Sequence, residues 1–238
     1  MYSINKTSAE FRSIARLALK GKWPIAILAG FITLLLGGIA SPINFSYNIG
    51  SNVNVNETGG ALDLENTVSF LPDWFTVIAG AMVFFAIIYA ILYFVVGSVI
   101  SVGYAKFNLE IVDHGEAKVG TLFECMRMWK TAVATRLLTS LIVFLFTLLL
   151  IIPGIVVSYS YAMTDYILAE HPEMTAREAM RASKEMMKGN RMRLFLLELS
   201  FIGWLILCLF TCGLGVFALT PYQEAAYAAF YREVSFTE

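Results

Sequence analysis

Three carboxylates fall inside long apolar stretches of this chain: Asp165, Glu198 and Glu224. A carboxylate in hydrocarbon costs on the order of 3 kcal/mol unless it is protonated, paired or facing a wet cavity, so each is a candidate for ion or proton handling. Depth separates them. Asp165 and Glu198 lie near the basic ends of their segments, where Arg191 or Arg193 can neutralise them, and a structural ion pair is expected for both. Glu224 lies two turns inside Arg232, in PYQEAAYAAFY among Tyr222, Gln223, Tyr227 and Tyr231. It is the best single candidate for a buried polar or ion-coupled site, with a hydrogen bond to a neighbouring helix as the simpler role. His114 and His171, in DHGE and EHPE, are flanked by acids but lack the fixed spacing of H-E-x-x-H, so solvated turns are expected and no metal. The chain carries no G-x-S-x-G and no Gly-rich phosphate loop, and its basic segments are too short for a core of their own. The expectation is a non-enzymatic protein with no cofactor.

These residues need a scaffold, and composition names its class. The 238 residues are 58% hydrophobic and 15% charged, with a mean hydropathy of +0.69. A soluble domain has roughly 25% charged residues. The apolar residues gather into runs longer than the ~20 needed to cross a bilayer, which predicts an integral membrane protein of helices. The net charge of -1 gives no reason to expect a nucleic-acid partner. Cys125, Cys208 and Cys212 make no disulfide framework and read as small apolar packing.

Charge placement gives the topology. All 17 Lys and Arg fall in four clusters, and none lies between Trp23 and Ala105. The stretch 42–74 carries Glu57, Asp63, Glu65 and Asp73 and no base, so the positive-inside rule puts it outside and the basic clusters in the cytoplasm. The reading is a single membrane domain of six spans: an interfacial helix 1–22, hairpin 23–104, cytoplasmic 105–136, hairpin 137–169, cytoplasmic 170–193, hairpin 194–231 and tail 232–238. Leu137 to Ala169 is 33 residues, which would be ~50 Å as one helix against ~30 Å of hydrocarbon. Pro153 and Gly154, in IIPGIV, are the expected hairpin tip. Gly213 and Gly215, in TCGLG, are the expected break of the third hairpin. Re-entrant loops that never fully cross are the alternative for both.

Each hairpin follows a similar segment: TSAEFRSIARLALKGKW from Thr7, TLFECMRMWKTAVATRL from Thr121 and TAREAMRASKEMMKGNR from Thr175. All three open with T-x-x-E, a capping box, and carry a base nine residues after the Thr. Lys20-Gly21 and Lys188-Gly189 share an offset, where Gly can end a helix in the left-handed conformation. On the first, Phe11, Ile14 and Ala18 oppose Arg12, Arg16 and Lys20. On the third, Ala176, Ala179, Met180 and Ser183 oppose Arg177, Arg181, Lys184 and Lys188. That pattern suits helices in the cytoplasmic interface with bases toward anionic head groups, although ordinary topogenic charges give it too. The chain reads as a threefold repeat of interfacial helix and hairpin.

The segments IPG, TAREAMRASKEMMKGNRMRLFLLELSFIGW and LTPYQEAAYAAFYRE, with ARLALKGKWPIAI at the start, resemble a family of bacterial integral membrane proteins catalogued as domain of unknown function 975. More distantly, PGI followed by EAMRAS and KGN is similar to the membrane region of some glycerophosphodiester phosphodiesterases, without their catalytic domain. The resemblance implies a multi-pass protein of the bacterial cytoplasmic membrane and names no reaction. Two functions are expected: a lipid- or protein-binding membrane module acting in envelope stress or export, or a small transporter or transporter subunit using Glu224. An embedded cavity would favour the second, a tightly packed bundle the first.

Overall fold

A computed structural model describes residues 6–38, 73–113, 118–210 and 215–235. The outer loop, His114, Cys212 and Gly213 lie outside the described residues. Within them the chain is all-helical: α1 (Ser8–Ala18), α2 (Trp23–Leu35), α3 (Asp73–Asp113), α4 (Thr121–Glu124), a 3-10 turn (Cys125–Met128), α5 (Trp129–Leu149), α6 (Ile151–Tyr161), α7 (Thr164–Glu170), α8 (Ala176–Met186), α9 (Arg191–Leu199), α10 (Ile202–Phe210) and α11 (Val216–Ser235).

Among the described residues, two stretches are long and apolar enough to cross a membrane: Gly80–Asp113 in α3, with mean hydropathy 2.6, and Thr121–Leu149, with mean hydropathy 2.1. The pair α1 and α2 meets the same test together but is bent by 104°, so the count is two or three against the six expected. Breaks make the difference. The run after Leu137 is divided at Leu150 and again between α6 and α7, and the run after Leu194 is divided between α9 and α10. At 1.5 Å per residue the nine-residue α10 spans ~14 Å, about half a hydrocarbon core.

Local signals explain the elements. Thr7 and Thr175 cap α1 and α8 with complete capping boxes: their backbone N–H groups donate to Glu10 at 2.6 Å and Glu178 at 2.8 Å. Both helices are eleven residues long, and both are followed by a glycine at φ +81°, Gly21 and Gly189. Thr121 departs from this pattern. Gly120 precedes α4, Thr121 donates to Glu110 at 2.9 Å, and Glu124 takes Lys106 at 2.5 Å. The T-x-x-E there is used to fasten α4 onto α3, so no amphipathic helix forms before α5. The two lie so close that a Cβ on Gly103 would sit 2.1 Å from the Leu122 carbonyl oxygen.

The hairpin α5–α6 turns at Leu150, whose backbone is extended. Pro153 and Gly154 do not make that turn. Pro153 stands in the first turn of α6, where its missing N–H is not needed. Gly154 lets the two helices touch, because a Cβ there would be 2.2 Å from Thr147 Oγ1. Gly215 precedes α11, and its carbonyl accepts from the Leu219 N–H at 2.9 Å.

The core gathers around α11, which packs on α1, α2, α3 and α10. Phe11 of α1 meets Phe230 edge-to-face at 5.4 Å. Phe11, Ala15 and Leu19 are fully enclosed, so the apolar face of α1 is spent on protein rather than on lipid. α8 does the same against α5, α6 and α7, burying Ala176, Ala179, Met180 and Ser183. Elsewhere large apolar side chains face outward, among them Phe84, Phe85, Leu148, Leu149 and Ile152.

Candidate functional site

The face of α11 that carries PYQEAAYAAFYRE is buried almost throughout, and its alanines Ala225, Ala226, Ala228 and Ala229 let neighbouring helices approach. Glu224 is 1% exposed. Its Oε2 accepts a hydrogen bond from the Tyr166 hydroxyl of α7 at 2.9 Å. Tyr166 stacks on Tyr231 with ring centroids 5.6 Å apart, which fixes the direction of that hydroxyl.

Glu198 of α9 lies in the same core, 4% exposed. Arginine is not its partner. The Tyr227 hydroxyl donates to its Oε1 at 3.3 Å, and the Tyr159 hydroxyl of α6 donates to its Oε2. Arg193 instead pairs with Glu233, donates to Asn190 at 3.1 Å and lies over the Phe230 ring at 5.7 Å. The reason is geometric: five residues after Arg193, the Glu198 side chain projects from a different face of α9.

Asp165 is half-buried, within electrostatic reach of Arg136 of α5. Arg136 donates to Ser101 at 2.9 Å and to the Gly37 carbonyl at 3.3 Å, so a guanidinium closes the chain end of α2. It also lies 5.9 Å from the Phe94 ring centre. Sequence reasoning counted Arg136 among the topogenic bases. Its position directly before Leu137, at the start of an apolar run, was the available signal.

Tyr222 belongs to a different environment. Its hydroxyl donates to the Arg12 carbonyl at 3.2 Å, and its ring sits among Phe201 at 5.2 Å, Trp23 at 6.4 Å and Trp204 at 6.4 Å. Gln223 is half-buried beside it. Two residues absent from the sequence reading lie in the core: Tyr104 and Asn108 of α3, both 0% exposed, with Nδ2 of Asn108 donating to the Tyr104 carbonyl at 2.9 Å. Toward the chain end, Tyr231 donates to Glu170 at 2.5 Å, and Arg232 joins Glu170 to Asp113.

Of the bases assigned to an outward face, Arg16, Lys20, Arg177, Arg181, Lys184 and Lys188 are exposed. Arg12 is not: it is half-buried and donates to the Ser200 carbonyl at 3.3 Å, in the break between α9 and α10. Glu10 and Glu178, on the same helices, titrate below the usual carboxylate value because backbone and hydroxyl groups of their cap threonines bond the ionised form. His171 lies 3.1 Å from Glu173 in an exposed turn.

The arrangement is an enclosed core of tyrosine hydroxyls and carboxylates within a helical bundle, whose longest apolar helices suit a bilayer. The chain belongs to the family described as Protein of unknown function (DUF975), whose model matches residues 52–238. The match begins after α2, so the N-terminal stretch ARLALKGKWPIAI lies outside it. No curated protein and no solved structure matches the chain, and the likeness to glycerophosphodiester phosphodiesterases gains no support.

Proposed function

We propose that the chain is a non-enzymatic module of the bacterial cytoplasmic membrane, with both termini in the cytoplasm, that gathers anionic lipid head groups at its inner face. The observation that carries this reading is the opposite orientation of two faces on α1 and α8. Their apolar sides are docked into the protein, and Arg16, Lys20, Arg177, Arg181, Lys184 and Lys188 are left outward. Each base near an anionic surface contributes about 1 kcal/mol of attraction. A protein that collects anionic lipid changes how cationic membrane-active agents meet the bilayer, which connects the module to envelope stress tolerance. The threefold repeat is reduced in this reading to a likeness between the first and third segments.

The test is lipid content after extraction. Native mass spectrometry of the wild type should show retained anionic lipid, and the quadruple variant R177Q/R181Q/K184Q/K188Q should retain several-fold less. Equal retention would remove the reading. The six-crossing topology is tested by single cysteines at the outward-facing Ile152 and Arg177, in a variant lacking Cys125, Cys208 and Cys212. Labelling of intact cells at 152 and not at 177 supports a crossing hairpin. No labelling at 152 favours a re-entrant one. A second reading, a small carrier or carrier subunit, draws on the short broken helices α6, α7, α9 and α10, of the kind that line transport sites.

A further inference from the structure

We propose that the elbow between α1 and α2 is a site for one anionic glycerophospholipid, its phosphodiester held by Arg12 and Arg16 and its glycerol esters by the indoles of Trp23 and Trp204. The proposal rests on the head-group reading and deepens it, because it names a single site away from α8. Tyr222 gathers the parts. Its hydroxyl donates to the Arg12 carbonyl at 3.2 Å, the carbonyl that also closes the helical turn to Arg16, so it ends at the turn of α1 that carries both arginines. Its ring meets Trp23 and Trp204, each at 6.4 Å, and Phe201 at 5.2 Å. One tyrosine side chain thus spans from the arginine turn to both indoles. Arg12 closes the group by donating to the Ser200 carbonyl at 3.3 Å, directly before Phe201. Because α1 and α2 meet at 104°, α1 can run along the membrane surface where α2 enters it, and the arginines and Trp23 share the head-group level.

The polar groups gathered there lack partners of the matching kind. Arg193 and Arg232, also half-buried, are neutralised by Glu233 and by Glu170 with Asp113. Arg12 has only the neutral Ser200 carbonyl, on Nη1, and its Nη2 carries no described bond and is not enclosed. Neither Arg12 nor Arg16 has a carboxylate partner among the described residues. Glu10, the acid of α1, is taken by Thr7. Neither indole N–H has an acceptor among the described residues, and Trp204 is 44% exposed. Two guanidinium groups without an anion, beside two N–H donors without a carbonyl, match a lipid phosphodiester and the ester carbonyls below it. A guanidinium fork fits two phosphate oxygens, and indoles settle at the interface with the N–H toward polar groups. Ile25, Leu28, Ile202 and Ile206 face outward on α2 and α10 and offer the acyl chains an apolar wall. A free phosphate would use the arginines and leave the indoles and that wall without a role.

The experiment is native mass spectrometry of the delipidated full-length protein, titrated with phosphatidylglycerol, phosphatidylcholine or inorganic phosphate. The expected result is one phosphatidylglycerol adduct that fills first and saturates, and that neither of the other two displaces at equal concentration. R16Q, at a side chain with no described hydrogen bond, should weaken that adduct by about tenfold with Tm unchanged. W204F keeps a ring, loses the N–H and should weaken it several-fold. R12K retains a donor for the Ser200 carbonyl and should weaken it as well; if it does not fold, R16Q and W204F decide. The variant R177Q/R181Q/K184Q/K188Q should lose later adducts and keep the first. An undiminished first adduct in R16Q or W204F overturns the elbow site, and its loss in the quadruple variant alone keeps the head-group reading while placing the lipid on α8. A wild type with no saturable adduct overturns both. Displacement by inorganic phosphate, or equal binding of phosphatidylcholine, assigns the site to a free anion or to any lipid and also overturns the proposal.

Discussion

The two halves of α3 are made from similar amino acids and live in opposite surroundings. From Gly80 to Tyr93 its side chains face outward on every side, whereas from Gly97 to Ala105 they are buried. The first stretch holds Met82, Phe84, Phe85, Ile87 and Ile91, as apolar as any core. The second brings Ser98 and Ser101 into the interior, and Asn108 follows just beyond it. In water the first half would collapse onto something. In a bilayer lipid is as good a solvent as leucine, so apolarity alone draws no helices together. Close contact in such a protein depends on small residues and hydrogen bonds, and α3 concentrates Gly97, Gly103 and its buried polar side chains in the second half.

That contrast is sharpest at the glycines. A Cβ on Gly97 would lie 2.3 Å from the Gly37 carbonyl oxygen, and one on Gly103 would lie 2.1 Å from that of Leu122. In both cases the obstacle is backbone, which cannot rotate away. Gly80 meets nothing within 4 Å. Gly103→Val should therefore destabilise by about 3 kcal/mol or more, enough to abolish a cooperative unfolding transition in detergent. Gly80→Ala should leave the midpoint unchanged or slightly raised, by up to about 1 kcal/mol. Equal effects at both sites would dissolve the distinction between the two halves.

Arg136 joins the packed half of α3 to α2 and α5, and its removal is the next largest change. Arg136→Gln strips the Gly37 carbonyl and Ser101 of a charged donor and leaves Asp165 without its cation. A fully buried pair loses about 3–5 kcal/mol when one partner goes. Arg136 and Asp165 are half-buried, so about 2 kcal/mol is expected from chemical unfolding. The double variant R136Q/D165N should recover part of that loss, because it removes the orphaned charge.

Tyr166→Phe and Tyr227→Phe test the polar half at its smallest units. Each deletes one hydroxyl donor to a buried carboxylate, Glu224 or Glu198, and should cost about 1–2 kcal/mol. Tyr93→Phe, on the outward half, removes a hydroxyl that reaches the Leu34 carbonyl only at 3.5 Å. It should fall within about 0.5 kcal/mol of the wild type. If all three behave alike, hydrogen bonding is not what distinguishes the packed region.

Much of this was legible from residue type and spacing, and the failures share a cause. T-x-x-E and the glycine fourteen residues later specify local backbone, so α1 and α8 could be placed from the chain alone. Glu224 stood out because a carboxylate among alanines and tyrosines has few reasons to exist. Arg136, Tyr104 and Asn108 did not, because their roles depend on where α2 ends and on which helix lies beside α3. Neither is a local property. The same lack misled the reading of Arg12, which has the spacing of an outward base but is turned toward the carbonyl of Ser200. At Thr121 the capping pattern lost to tertiary contact, since Glu110 and Lys106 offer its Thr and Glu partners on α3.

A further, modest effect lies outside the packed core, on the exposed cap of α8. Thr175→Ala removes the hydroxyl that completes the capping box and should cost about 1 kcal/mol. Thr121→Ala removes a hydroxyl that bonds Glu110 rather than its own helix, so its effect should vanish in E110A, which lacks the acceptor, while that of Thr175→Ala persists. Acidity separates them further. Glu178 is held below the ordinary carboxylate value by the backbone N–H and hydroxyl of Thr175, so its contribution is complete above the unfolded-state pKa, roughly 4.3. It is lost as pH falls through the lower folded value, and in Thr175→Ala that acid-side loss should shrink. Unfolding midpoints measured from pH 6 down to about 3 decide the matter: parallel acid profiles for wild type and variant would show that the box is formed but contributes nothing to stability.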